Sequence, residues 1–181
     1  MGIIIRGSAS YLPIASESID LCYADPPFFS QRNYKQFDDR WKSLDDYLAE
    51  MEIAVRETHR VLKPTGSFYL HCDWHASHYL KVMCDRVFGY GNFRNEIVWH
   101  YNRWSAAAKT FQRMHDVILF YTKTEEYTFN MQYKEYAEGS KKAHEERGFI
   151  QRGSFISKPN PKGVSADDVW SIILRHAQQK E

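Results

Sequence analysis

The sequence is short of the features that mark secreted, membrane-spanning or disulfide-built proteins. Its 181 residues hold three cysteines, Cys22, Cys72 and Cys84, an odd number without Cys-x-x-Cys spacing, which predicts free thiols in a reducing compartment. None follows a proline, so the Pro-Cys nucleophile of cytosine-C5 chemistry is missing. The apolar start Ile3-Ile4-Ile5 is too short for a signal peptide, and Arg6 spoils a myristoylation match. No stretch approaches membrane-spanning length, and a cytoplasmic location is expected. Strong net charge is lacking too: the formal value is +1, so no overall field marks a nucleic-acid binder.

What is present fits one domain with a sizeable core, since 43% of the residues are apolar and 15% aromatic. Charge is unevenly spread. Residues 1–93 carry 10 Lys/Arg against 12 Asp/Glu, whereas 94–114 carry Arg94, Arg103, Lys109 and Arg113 against Glu96 alone. These bases alternate with Trp104, Phe111 and other aromatics, a texture suited to phosphate contact and base stacking; a solvated loop between two strands is the rival reading.

The chain is organised around Asp25-Pro26-Pro27-Phe28, which follows the apolar run Ile19–Ala24. Strand-forming residues that stop at two prolines predict a buried strand carrying a rigid loop at its carboxyl end, where α/β sheets keep their ligand sites. Such a loop has a definite chemistry. The exocyclic amine of adenine or cytosine is a poor nucleophile because its lone pair is delocalised into the ring, and two acceptors aimed at its N–H groups would localise that pair. The Asp25 carboxylate and the Pro26 carbonyl are two such acceptors, and Phe28 offers a face for the base.

Around this loop, helices and strands alternate. Ile3-Ile4-Ile5 reads as a buried strand, 11–17 as a short helix or turn, and Phe29–Trp41 as a mobile loop. From Ser43 a helical stripe runs through Tyr47, Met51, Val55 and Leu62, with Ser43 and Asp46 placed as a capping box and Lys63-Pro64-Thr65-Gly66 as the stop. Residues 67–72 predict a strand ending at Asp73, on the same rim as Asp25, and 79–88 a second helix. This order is that of a doubly wound parallel sheet. Residues 95–101 and 115–121 predict an antiparallel pair at the sheet's edge. His71, His75 and His78 share helical spacing, but 67–72 alternate as a strand, so ordinary polar roles outweigh a zinc site. Residues 122–166 read as an irregular insertion, part of it disordered, and 167–173 as a return to order.

Taken together these segments resemble the DNA amino-methyltransferases, which modify adenine N6 or cytosine N4 using S-adenosylmethionine. The resemblance is carried by Asp25-Pro26-Pro27-Phe28, by His59–Ser67 followed by Leu70-His71-Cys72-Asp73, by Asn92–Trp99, and by His115–Lys123. Their order is that of the β arrangement, which includes type III modification subunits. It implies a fold: α/β, a partial Rossmann-like methyltransferase sheet with helices on both faces and an irregular recognition insertion. The domain plan is then 1–121 as catalytic part, with 94–114 as a basic aromatic DNA-contact loop, 122–166 as target-recognition insertion, and 167–181 as the return.

The resemblance also implies site residues. Asp25, Pro26, Pro27 and Phe28 would be catalytic, with the base flipped onto Phe28. Arg94, Arg103, Trp104, Lys109 and Arg113 would meet double-stranded DNA. For the cofactor, Ser8 within Gly7-Ser8-Ala9 stands near its adenine, Asp25 faces it, and His176, Gln179 and Lys180 fit the family's H-P-T-Q-K-P, from which Ala177, Gln178 and Glu181 depart. The F-x-G-x-G motif that completes the cofactor pocket does not occur. The chain alone is therefore expected to bind S-adenosylmethionine weakly and to be inactive, with a homodimer or a complementing polypeptide as partner. A non-catalytic nucleic-acid-binding remnant and half of a split methyltransferase are the alternatives. The glutamine methyltransferases of release factors use N-P-P-Y, and Asp25 argues against that class. Between adenine and cytosine, D-P-P-F leans towards adenine.

Overall fold

An apolar stripe and a serine cap define the first helix of the computed structural model, which describes residues 4, 6–35, 37–102, 109–153 and 155–172. Helix α1 spans Leu44–Val61. Ser43 Oγ accepts from the Asp46 amide at 3.0 Å and donates to its carboxylate at 2.8 Å, the capping arrangement the sequence predicts. The stripe buries Tyr47, Met51, Val55, Thr58 and Val61. Helix α2, Ser77–Phe88, packs beside it through Leu80, Met83 and Cys84. Each large apolar side chain so buried stabilises the fold by about 1.5–3 kcal/mol.

Both helices cover one face of a five-stranded sheet. In chain order its members are β1 (Ile19–Ala24), β4 (Leu62–Cys72), β5 (Phe93–Tyr101), β6 (His115–Thr122) and β11 (Val169–Ile172); in space they run β1-β4-β6-β5-β11. The sequence reading puts helices on both faces, but among the described residues α1 and α2 share one core with Phe68, Leu70, Val117 and Tyr121. Ile97, Ile118 and Phe120 form a smaller cluster with Tyr69, Trp99 and Tyr127.

Several expectations are modified. β1 pairs with β4, and β11 with β5, in parallel, whereas β6 is antiparallel to both its neighbours. The sheet is mixed, and the antiparallel partner is interior rather than at an edge. The reason is that β6 is the most completely buried strand, with every residue from Val117 to Thr122 buried. β1 and β11 are the edge strands instead, and β1 is only half-buried, exposing Leu21 and Tyr23. Ile3 and Ile5 lie outside the described residues, and Ile4 between them is exposed and outside any strand. Residues 11–17 form turns. The stop after α1 is a bulge within β4: Ile19 pairs with Leu62 but Leu21 with Ser67. Gly66 permits this, because a Cβ there would come 2.9 Å from the Lys63 carbonyl oxygen and 3.1 Å from that of Ile19.

The segment after Phe28 holds more hydrogen-bonded structure than its polarity suggests. Two short strands, β2 (Asn33–Tyr34) and β3 (Phe37–Asp38), pair antiparallel, and Asp39 turns inward with only 1% exposure. Its carboxylate accepts from the Phe29 amide (3.0 Å), the Ser30 amide (2.7 Å), the Ser30 hydroxyl (2.5 Å) and the Trp41 indole (3.2 Å). Tyr47 donates to the Pro27 carbonyl at 2.8 Å, so the core helix also holds the loop. Phe29 and Gln31 have φ of 62° and 58°, left-handed values that non-glycine residues hold only when neighbours over-determine them.

Residues Phe129–Asp167 form a second compact unit. It contains β7 (Tyr133–Lys134) paired with β10 (Val164–Ser165), helix α3 (Glu138–Arg147), and β8 (Ile150–Arg152) paired with β9 (Phe155–Ser157). This is more order than the irregular insertion expected from sequence. α3 buries no residue, so it carries no apolar stripe for a periodicity argument to find. Among the described residues no helix is long and apolar enough to cross a membrane.

The anchoring contacts are open to two tests. Asp39→Ala strands two backbone donors and is expected to destabilise the chain by about 3 kcal/mol in urea unfolding; a change below about 0.5 kcal/mol would show that the loop does not depend on it. At the other end of α1, Glu57 accepts from Arg60 and from the Leu12 amide, which holds its carboxyl down at about 2. Since the folded value lies below the ordinary 4.5, its stabilisation is complete above that pH and is lost as pH falls through about 2. The Leu12 amide resonance should stay in place down to 4.5 and move only as pH approaches 2; movement centred at 4.5 would refute the clamp.

Candidate active site at the carboxyl ends of the strands

The strand ends of β1 and β4 and the facing ends of β5 and β6 open onto a cleft of about 1030 Å³. Asp25, Pro26, Pro27 and Phe28 line it together with Asp73, Trp74, His75, Tyr101, Arg113 and Asp116, with Tyr34 and Phe37 from the β2–β3 hairpin. The Asp25 side chain is 60% exposed and therefore open to a ligand. Among the described residues no side chain donates to the Pro26 carbonyl, whereas that of Pro27 is taken by Tyr47.

Beneath Asp25 lies a buried polar group that sequence reasoning did not connect to it. His71, with an 8% exposed side chain, sits on β4 with Nδ1 3.2 Å from Asp25 Oδ1 and Nε2 3.5 Å from Asp116 Oδ2. Phe28 meets its ring edge-on at 5.0 Å. The Tyr101 hydroxyl donates to Asp116 Oδ1 at 3.0 Å. Partial burial, and then the Asp25 and Asp116 charges, push the Tyr23 phenol up. His75 points elsewhere, its Nδ1 2.8 Å from Asp73. Burial also pushes the Cys72 thiol up to about 12 and the Cys84 thiol higher still, so neither supplies a thiolate at neutral pH. The signal for His71 and Asp116 lay in polar residues at the ends of apolar strands, but their partnership is a contact between distant segments.

The basic residues separate. Arg113 lines the cleft with its guanidinium 3.9 Å over the Trp74 ring. Trp74 is stacked on its other neighbour, His75, at 3.8 Å, and an arginine so held keeps its N–H groups available for a phosphate. Lys109 is exposed outside the cleft, whereas Arg103 and Trp104 lie outside the described residues. Arg94 does not join the cleft. It sits at the opening end of β5, where Nε donates to Thr122 Oγ1 (2.9 Å), Nη2 to the Thr124 carbonyl (3.1 Å), and the guanidinium covers Tyr127 at 4.6 Å. Its hydrogen bonds join strand ends on the far rim, away from the cleft.

The cofactor residues are likewise divided. Ser8 is exposed and accepts from the Ser10 amide, outside the cleft, while His176, Gln179 and Lys180 lie outside the described residues. Gly89-Tyr90-Gly91, a G-x-G in the sequence, lies between α2 and β5 and not behind a strand end.

The chain is similar to known proteins. The family model described as DNA methylase matches residues 19–181. DNA adenine methyltransferase YhdJ of Escherichia coli (strain K12) is 33% identical over 131 residues, covering 70% of this chain and 43% of that protein. Type II methyltransferase M.BamHI of Bacillus amyloliquefaciens is 30% identical over 170 residues, covering 92% and 39%. The chain thus spans less than half the length of these curated relatives. Among solved structures, TTHA0409 of Thermus thermophilus, described as a DNA modification methylase, has a TM-score of 0.51 at 17% identity, over 91% of this chain and 65% of that one, a likeness of fold. With the family model covering the sheet, both core helices and the Asp25 loop, the chain belongs to the DNA methylase family of the N6/N4 amino-methyltransferase type.

Proposed function

We propose that this chain carries the base-holding half of a site-specific DNA methyltransferase that methylates the exocyclic N6 of a flipped adenine. The observation that carries this reading is an exposed Asp25 carboxylate on a loop held from below, next to Pro26, whose carbonyl takes no side-chain hydrogen bond among the described residues, both residues lining a cleft with room for a nucleobase. Two acceptors in fixed positions take the two N–H groups of the amine and draw its lone pair out of ring conjugation. Phe28 and Phe111 give aromatic faces for a base removed from its stack. Arg113 is available for a flanking phosphate. Adenine is favoured because the Escherichia coli relative is named an adenine methyltransferase.

S-adenosylmethionine, when bound, supplies the electrophilic methyl group. The cleft suits it in charge, since Asp25, Asp73 and Asp116 would offset a sulfonium. Asp25 thus serves the amine and also bounds the space of the methyl donor. Because the reaction needs alignment and charge compensation and no covalent enzyme intermediate, the stiffness of the loop matters more than the basicity of any one group.

Replacing Asp25 by Ala in the full-length protein should lower methyl transfer to duplex DNA by at least about 10³-fold while DNA binding persists; turnover at the wild-type rate would refute the assignment. Digestion of the product should yield N6-methyladenine, and N4-methylcytosine in its place would overturn the choice of base. Arg113→Ala should weaken DNA binding without changing which sequence is chosen, and reduce the slope of log affinity against log salt by about 1. An unchanged slope would remove Arg113 from the phosphate contacts.

A further inference from the structure

His71, buried beneath Asp25, is a group that the proposed reaction leaves without a task. Its ring is wedged among Phe28 (5.0 Å), Trp99 (5.1 Å) and Tyr23 (6.2 Å), and its Nε2 is buried with no hydrogen-bond partner. Burying an imidazole nitrogen without a partner is costly. An apolar residue would fill the same space without that cost, as Phe68, Leu70 and Cys72 fill theirs elsewhere on β4. Packing therefore does not explain a histidine here. What an aliphatic side chain could not do is meet Asp25, 3.2 Å from Nδ1.

Asp25 needs such a contact. Its carboxylate is mostly exposed, and among the described residues His71 is the one side chain within ion-pair distance of it. An exposed carboxylate turning about two bonds populates several rotamers, whereas gripping one amine requires a single rotamer. We infer that His71 is the positioning residue of Asp25: its buried ring presents Nδ1 to one carboxylate oxygen and leaves the other directed into the cleft. The ring is itself held by the Phe28, Trp99 and Tyr23 rings packed around it, while Asp116, which accepts from the Tyr101 hydroxyl, lies 3.5 Å from Nε2 without a hydrogen bond to it. Packing on β4 and β5 thereby fixes the carboxylate that follows β1. The inference rests on the reading of Asp25 as an amine acceptor and adds what sets its direction.

The first test needs no substrate. In the wild-type chain the Asp25 Hα–Hβ couplings in nuclear magnetic resonance should report one χ1 rotamer, in His71→Leu they should average, and in His71→Asn, which restores an N–H near Nδ1, they should return to one rotamer. Averaged couplings in the wild type, or a single rotamer surviving in His71→Leu, would overturn the inference. In the full-length protein, His71→Leu should lower kcat about 10²-fold with KM for DNA and for S-adenosylmethionine unchanged, and His71→Asn should recover most of the rate. Wild-type kcat in His71→Leu sinks the positioning role if Asp25→Ala is inactive. An active Asp25→Ala would instead remove the proposed function on which the role depends.

Discussion

The buried carboxylate of Asp39 is the constraint on which the site depends. By accepting from two successive backbone amides, a hydroxyl and an indole, it turns the chain back under Asp25-Pro26-Pro27-Phe28 and holds Phe29 in a left-handed conformation. Tyr47 fastens the same loop to α1 through the Pro27 carbonyl. A carboxylate that satisfies several donors at once offsets the cost of its burial, and each donor it meets would be costly if left alone. The two prolines cannot donate and restrict φ, so the loop has few ways to move. Rigidity in the loop becomes direction in the groups it carries.

The sheet supplies the other half of the arrangement. β6, running against both its neighbours, carries Asp116 to the rim at which β1 and β4 end. Asp25, His71 and Asp116 thus converge from three segments of the chain. The far rim is closed by Arg94, whose donors join the start of β5 to the end of β6. One end of the sheet is bound shut by a cation, and the other stays open around carboxylates. Asp25, Asp73 and Asp116 make part of the cleft lining acidic, and Arg113, over Trp74, adds a cation to the same lining; the proposed function assigns the first to an amine and a sulfonium and the second to a phosphate.

Local signals made much of this legible. The strand before Asp25 and the capped helix from Ser43 follow from patterns a few residues long, and both form, although the strand lies at the sheet's edge and is only half-buried. The pairing of 95–101 with 115–121 was also readable, because each holds a run of strand-forming residues, Ile97-Val98-Trp99 and Val117–Tyr121. What local pattern does not carry is which strand lies between which, and β6 is interior because its apolar residues face neighbours distant in sequence. Asp39 looks like any loop aspartate beside Asp38 until its four donors are seen. Arg94 and Arg113 are indistinguishable as basic residues among aromatics, yet one is spent on the fold and the other lines the cleft. α3, with no buried face, offered no periodicity to read.

The account reduces to two oxygens held still. A crystal structure of the full-length protein with duplex DNA carrying its target site, and a cofactor analogue that lacks a transferable methyl, measures this directly. The account predicts the target adenine outside the helix with its exocyclic nitrogen within hydrogen-bond distance of both an Asp25 carboxylate oxygen and the Pro26 carbonyl. A base left in its stack, or an extruded base whose amine is bonded to other groups, would contradict it.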